Sequence, residues 1–350
     1  MAVAETRAER LAQARDLGWR ALAAFARRRE ASIFVVGLAL VAYFSLRSSA
    51  FYEGASIKNI GVYIAPLALI ASGEVMLLIC GEIDLSIGRV FALSPIIMYL
   101  TSAPEPDGLG LPIWIGVIFG LLAAAGVGFV NGIVTTVFRV PSFITTLGML
   151  FFLNGINLRA LHGFQVETPG GSTFTKIFGG NVWSHQFFNS EFWWAIAIVI
   201  LLQIVLVRTR WGLHTIATGG NLIGASESGV NVRRVKIGNF MLASMLGGFA
   251  GIMDSVRITS ILPLQGGPDI MFLGVAAAVI GGTSLMGGSG TIIGGFLGVC
   301  VLAVLNIGFT ILGVSAFNFD LIIGIAILIA MLLNVQIQRL KNLGRLGRLR

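Results

Sequence analysis

Six ionisable side chains stand at the edge of, or within, stretches that are otherwise apolar: Glu74, Glu82, Asp84, Arg89, Asp254 and Arg257. A charge in such a place is costly and needs a reason, such as a proton or solute to hold, a partner of opposite sign, or a helix end to cap. Asp254 and Arg257 are three apart, so on one helix they are neighbours and read as a pair near its end. Asp84 either neutralises Arg89 or caps a helix starting near Ser86, whose exposed N–H groups favour a carboxylate. Glu74 has no local partner and faces either a cavity or a cation on another segment.

Other chemistry is thinly represented. His162, His185 and His214 are scattered, with no companion ligands at metal spacing, and no cofactor is expected. Cys80 and Cys300 lie at or within apolar stretches and form no disulfide framework. None of the lysines (Lys58, Lys176, Lys236, Lys341) follows a glycine, so ATP hydrolysis of the P-loop kind is not in this chain. With no Gly-x-Ser-x-Gly elbow and no His-Glu-x-x-His helix either, an enzyme is not expected.

The elements that hold these groups are spans. The chain is 56% hydrophobic and 11% charged, and a span needs about 20 mainly apolar residues. An all-α polytopic membrane protein is predicted, with about ten spans near 31–47, 60–80, 86–101, 112–138, 142–160, 192–207, 237–256, 269–286, 291–311 and 318–336. They make one transmembrane domain, 31–336, between basic tails 1–30 and 337–350. Residues 5–30 read as an interfacial basic helix or a partly disordered tail, and not as a cleavable signal peptide. Lys and Arg gather before residue 30, between Arg208 and Lys236, and after Ile337, which ten spans put on one side. By the positive-inside rule that side is the cytoplasm, with both termini, and segments 101–111 and 161–191 face outward. The net charge of +8 therefore meets anionic lipid, and nucleic acid is not an expected partner.

Glycines spaced by four, as in Gly247/Gly251 and Gly290/Gly294/Gly298, let helices approach closely within a chain or between chains. Gly81-Glu82-Ile83-Asp84-Leu85-Ser86-Ile87-Gly88 shares its Gly, Leu and Gly positions with Gly281 to Gly288. Asn131-Gly132 and Val140-Pro141-Ser142-Phe143 are similarly set against Asn306-Ile307-Gly308 and Val314-Ser315-Ala316-Phe317. This reads as two related halves with broken helices, a pointer to a transport pathway.

The first of these motifs resembles the Gly-Gly-Ile-Asp-Leu-Ser-Val-Gly of permease subunits of ribose-type monosaccharide ABC importers, the branched-chain transport permease family. Val140 to Gly148 is similar to that family's Val-Pro-Pro-Phe-Ile-Val-Thr-Leu-Gly, and Gly219-Gly220-Asn221 through Asn231 and Gly281 to Leu285 match further motifs. Order and spacing hold from about 55 to 335, although Glu74 and Glu82 depart from the usual uncharged residue and glycine. The resemblance implies a second permease copy, homo- or heterodimeric, a cytoplasmic ATP-binding subunit, a periplasmic solute-binding protein and a bacterial inner (plasma) membrane location. A sugar path wants hydroxyls, amides and aromatic surfaces, and the candidates are Ser86, Asn131, Phe143, Thr146, Asn154 and Thr283. The alternative is a proton-coupled carrier using Glu74, Glu82 or Asp84.

Segment 208–236 holds the coupling candidate. Asn221 is a good N-cap, Leu222 to Ser228 suit two helical turns, and Gly229 suits a left-handed stop. Leu222, Ile223 and Ala225 are read as an apolar face for a partner's groove, with Arg233, Arg234 and Lys236 anchoring the next span at lipid headgroups. In the family this position is the coupling helix, which assigns Asn221, Leu222, Ile223, Ala225, Ser228 and Gly229 to contact with the ATP-binding subunit.

Overall fold

The computed structural model describes residues 30–180 and 188–315, with 318, 320–325, 328, 329 and 332 beyond them. Residues 1–29 and 337–350 of the basic tails, and nine of the nineteen residues of the expected span 318–336, lie outside these residues. The chain is an all-α membrane protein. Its helices are α1 (Glu30–Arg47), α2 (Gly54–Ile79), α3 (Ile87–Ser102), α4 (Ile113–Thr136), α5 (Ser142–Ala160), α6 (Ser172–Phe178), α7 (Ser190–Arg208), α8 (Arg210–Gly220), α9 (Leu222–Glu227), α10 (Val232–Ile258), α11 (Gly267–Ile280) and α12 (Ile292–Ile311), and a 3-10 turn (Ser49–Tyr52) precedes α2.

Among the described residues seven helices, α1, α2, α4, α5, α7, α10 and α12, are long and apolar enough to cross a membrane. The expected spans 86–101 and 269–286 appear as shorter apolar helices of 16 and 14 residues, α3 and α11. The second of these stops at Ile280, six residues early, because Gly282 takes a positive φ of 90° and turns the chain. Segment 161–191 also has structure of its own: α6, and strand β1 (Val166–Glu167) paired antiparallel with β2 (Ser260–Ile261).

α2 lies at the centre, buried from Leu67 to its end and apolar there apart from Ser72 and Glu74, as a helix enclosed by other helices should be. α10, α12, α7 and α11 pack around it, α3 packs on α10, and α4 covers both α3 and α10. The spaced glycines are spent on these contacts. A Cβ on Gly128 would strike the Phe240 carbonyl at 2.4 Å or the Met241 Cα at 2.6 Å, and one on Gly132 would come within 2.8 Å of the Ile237 Cα. Gly247 and Gly251 face Ile87 and Phe91 of α3, while Gly294 and Gly298 face Gly281 and Ala277. These glycine faces therefore serve packing inside one chain, the alternative that sequence left open.

Candidate functional site

Two breaks in the helical ladder lie at the same end of the bundle, the end that also carries α8, α9 and the basic residues Arg233 and Arg234. At the first, α2 ends in a Schellman stop: Gly81 has φ 79°, its N–H bonds the Leu78 carbonyl at 2.9 Å, and Glu82 N–H bonds Leu77 at 3.0 Å. At the second, α11 ends the same way, Gly282 N–H bonding Val279 at 2.9 Å and Thr283 N–H bonding Ala278 at 3.0 Å. The equivalence is thus Gly81 with Gly282, one residue off the lettered alignment of Gly81 with Gly281. The later part of the expected repeat does not hold. Asn306 stands on the first helix after its break, Asn131 on the second.

Asp84 is wholly buried and organises the first break. Its Oδ1 accepts from Ser86 N–H at 2.8 Å, Ser86 Oγ at 2.6 Å and Asn131 Nδ2 at 3.4 Å, and its Oδ2 accepts from Ser244 Oγ at 3.3 Å. The carboxylate thus takes an orphan N–H at the start of α3, the capping role. The Arg89 pairing is not made. Arg89 points the other way and donates to the Leu264 carbonyl at 3.0 Å. Thr146 and Ser142 of α5 accept from Leu85 N–H at 3.0 Å and Ile83 N–H at 3.4 Å, so the segments 81–88 and 140–148 interlock.

Three of the six path candidates, Ser86, Asn131 and Thr146, therefore meet in this network; Asn131 Nδ2 also donates to Ser86 Oγ at 2.9 Å. The others stand apart. Phe143 is exposed on α5, Asn154 is half-buried, and Thr283 is buried at the second break with no partner for its hydroxyl among the described residues. Glu74 is wholly buried, and among the described residues no cation is paired with its carboxylate. Glu82 pairs with Lys236, which is thereby drawn from the expected headgroup position into the protein. Of the three carboxylates offered for proton coupling, two are already held by partners.

α9 forms between the N-cap Asn221, whose Oδ1 accepts from Gly224 N–H at 2.9 Å, and a third Schellman stop at Gly229, with φ 83°. Ser228, whose Oγ donates to the Gly224 carbonyl at 2.8 Å, is the residue after its last turn. Leu222 is 48% and Ile223 70% exposed, but Ala225 is only 6% exposed. Ala225 belongs to the underside of α9, because the helix lies flat and turns that residue inward. α8 is fastened beneath by Asn239 of α10, which accepts from Trp211 Nε1 at 2.9 Å and donates to Thr215 Oγ1 at 3.1 Å and Cys80 Sγ at 2.8 Å. Sequence reading passed over Asn239; a lone amide in an apolar helix was the available signal.

At the opposite end Arg257 pairs with Asp254, as its spacing predicts, and also with Glu191 of α7 at 3.3 Å. Gln265 donates to Asp254 at 2.6 Å. Asp254, Arg257 and Gln265, together with Asp269, Asn59 and Tyr63, line a cavity of about 470 Å³. Its wall includes Gly266, which with Gly267 turns the chain at positive φ, and such non-helical backbone is tolerated at depth when it lines a cavity. Around α6, Phe174 and Phe178 meet Trp114 at 5.4 and 5.8 Å, and Phe178 stacks on Trp194 at 6.1 Å.

A family model described as branched-chain amino acid transport system / permease component matches residues 56–331. The xylose/arabinose import permease protein of Sulfolobus acidocaldarius is 37% identical over 320 residues, 89% of this chain and 86% of the relative. The ribose import permease protein of Escherichia coli K12 is 32% identical over 298 residues, 85% of this chain and 91% of the relative. An autoinducer 2 import system permease protein of Photorhabdus luminescens is 30% identical over 295 residues, 83% and 86% of the two chains. No solved structure matches the chain.

Proposed function

We infer the role of this chain from the family it belongs to, the branched-chain amino acid transport system permease family, and propose that it is the membrane-spanning subunit of an ATP-driven importer. It forms the path for a small polar solute, a monosaccharide or related polyol, and carries out no chemistry of its own. Relatives named for xylose/arabinose and ribose import support the sugar class. ATP is hydrolysed on a separate subunit, a solute-binding protein delivers the cargo, and two permease chains make the working unit. The chain sits in the plasma membrane with both termini and segment 208–236 in the cytoplasm, in keeping with the positions of its basic residues. Solute then enters from the opposite end, where the cavity beside Gln265 and Asp269 offers polar groups.

The observation that carries this reading is α9: a six-residue helix, capped at both ends, presenting Leu222 and Ile223 at the basic end. Apolar side chains exposed on a rigid cytoplasmic element are best explained by a partner's groove. Ser228 and Gly229 shape its end, and Ala225 supports it from below. In membranes that also hold the ATP-binding subunit, Ile223→Glu is expected to leave insertion and permease pairing intact, release that subunit in pull-down, and cut solute uptake at least tenfold. Uptake and pull-down at wild-type levels would refute the docking role. Co-purification of an ATPase and a binding protein with the wild-type chain tests the class as a whole, and the ligand of that binding protein names the solute.

A further inference from the structure

The basic end joins α9 to the Asp84 turn by a short route. Downstream of α9, residues 228–231 lead into α10, whose second turn carries Lys236. Lys236 Nζ pairs with the Glu82 carboxylate, 154 residues away in sequence, and the two side chains are only 14% and 10% exposed. Glu82 is the residue after the glycine stop of α2 and stands two before Asp84. A lysine near a helix N-terminus is misplaced with respect to the helix dipole, and Arg233 and Arg234 add like charge nearby. The dipole of α10 does not favour a cation there, and the opposite charge that Lys236 meets is Glu82. Shielding from water makes the pair less sensitive to salt than a surface contact and fixes its partners. The flanking contacts are neutral and close: the Ile79 carbonyl accepts from Gly288 N–H at 2.8 Å, and a Cβ on Gly219 would overlap the same carbonyl.

Resting on the docking role of α9, we propose that the Glu82–Lys236 ion pair is the positioning contact through which movement of α9 reaches the buried Asp84 turn. The ATP-binding subunit displaces α9, the first turns of α10 move with it, and Lys236 carries Glu82 and the turn along. The fully assembled complex, reconstituted in proteoliposomes with its ATP-binding subunit and binding protein, provides the test. Glu82→Gln and Lys236→Met are expected to retain the ATP-binding subunit and its basal hydrolysis, while solute imported per ATP falls at least fivefold. The exchanged pair, Glu82→Lys with Lys236→Glu, is expected to return to within twofold of wild type. A purely local packing role predicts no such rescue. Single variants within twofold of wild type, or an exchanged pair no better than the single variants, would overturn the proposal. Retention of the ATP-binding subunit by Ile223→Glu would instead remove the docking premise, and the proposal with it.

Discussion

The two breaks begin alike and end differently. Gly81 and Gly282 close α2 and α11 with the same hydrogen bonds, yet the residues beyond each stop are held in opposite ways. After Gly81 the turn is fastened by side chains: Asp84 accepts from Ser86, Asn131 and Ser244, and Thr146 accepts from Leu85 N–H. After Gly282 the chain is held mainly through backbone, Ser284 N–H to Ser289 O at 2.9 Å and Gly288 N–H to Ile79 O at 2.8 Å, and Met286 is 88% exposed. One break is a buried polar network, which is costly to disturb because each lost partner leaves another group unpaired. The other is a glycine-rich bridge that can change shape without stranding a charge.

The largest effect should come from Asp84→Ala. Ser86 N–H, Ser86 Oγ and Ser244 Oγ would lose their acceptor, while Asn131 keeps Ser86 Oγ, and at about 1–3 kcal/mol for an unpaired buried group the total loss is about 3 kcal/mol or more. A thermal melt of the detergent-solubilised protein reads this, and a wild-type melting temperature would remove the contrast between the breaks. Next come two matched substitutions. Thr146→Val strands the Leu85 N–H and is expected to destabilise by about 1–3 kcal/mol, whereas Thr283→Val deletes a hydroxyl that has no partner and should leave stability unchanged or slightly raised. If Thr283→Val melts normally but slows uptake, its hydroxyl serves the solute; normal uptake assigns it to packing. The smallest effect tests the likeness itself. Gly81→Ala and Gly282→Ala each place a side chain at positive φ in open space, so each should cost about 1 kcal/mol, and equally. Costs that differ twofold or more would mean that the two stops are not equivalent.

What could be read from the sequence was what neighbouring residues decide. Hydropathy located the helices, Asn221 and Gly229 marked the two ends of α9, and Asp84 two residues before Ser86 announced a capped turn. What escaped depends on partners far along the chain. Ser244 is 160 residues from Asp84, Asn239 is 159 from Cys80, and Glu191 lies on a different helix from Arg257, so no local pattern joins them. The one-residue slip in aligning the breaks arose because letters were matched, while the chain equates the residues that adopt positive φ. Ala225 was misdirected for a related reason: two turns of helix define a face only once the surface beneath is known.

The shortness of α3 and α11 also matters electrically. At 1.5 Å per residue, 16 and 14 residues span about 24 and 21 Å, against a hydrocarbon core of about 30 Å. Both are largely enclosed by other helices, so lipid does not make up the difference; polar turns and the cavity do. A membrane voltage then falls over a thinner dielectric at the centre of the protein than at its rim, in a field about a quarter to two-fifths steeper by those lengths. Moving one elementary charge across the full potential is worth about 2.3 kcal/mol per 100 mV. Arg89 near the start of one short helix and Asp269 near the start of the other stand where that field is concentrated. Any rearrangement that carries either charge along the membrane normal is therefore coupled to the cell's voltage as well as to its ATP, even when the cargo is neutral.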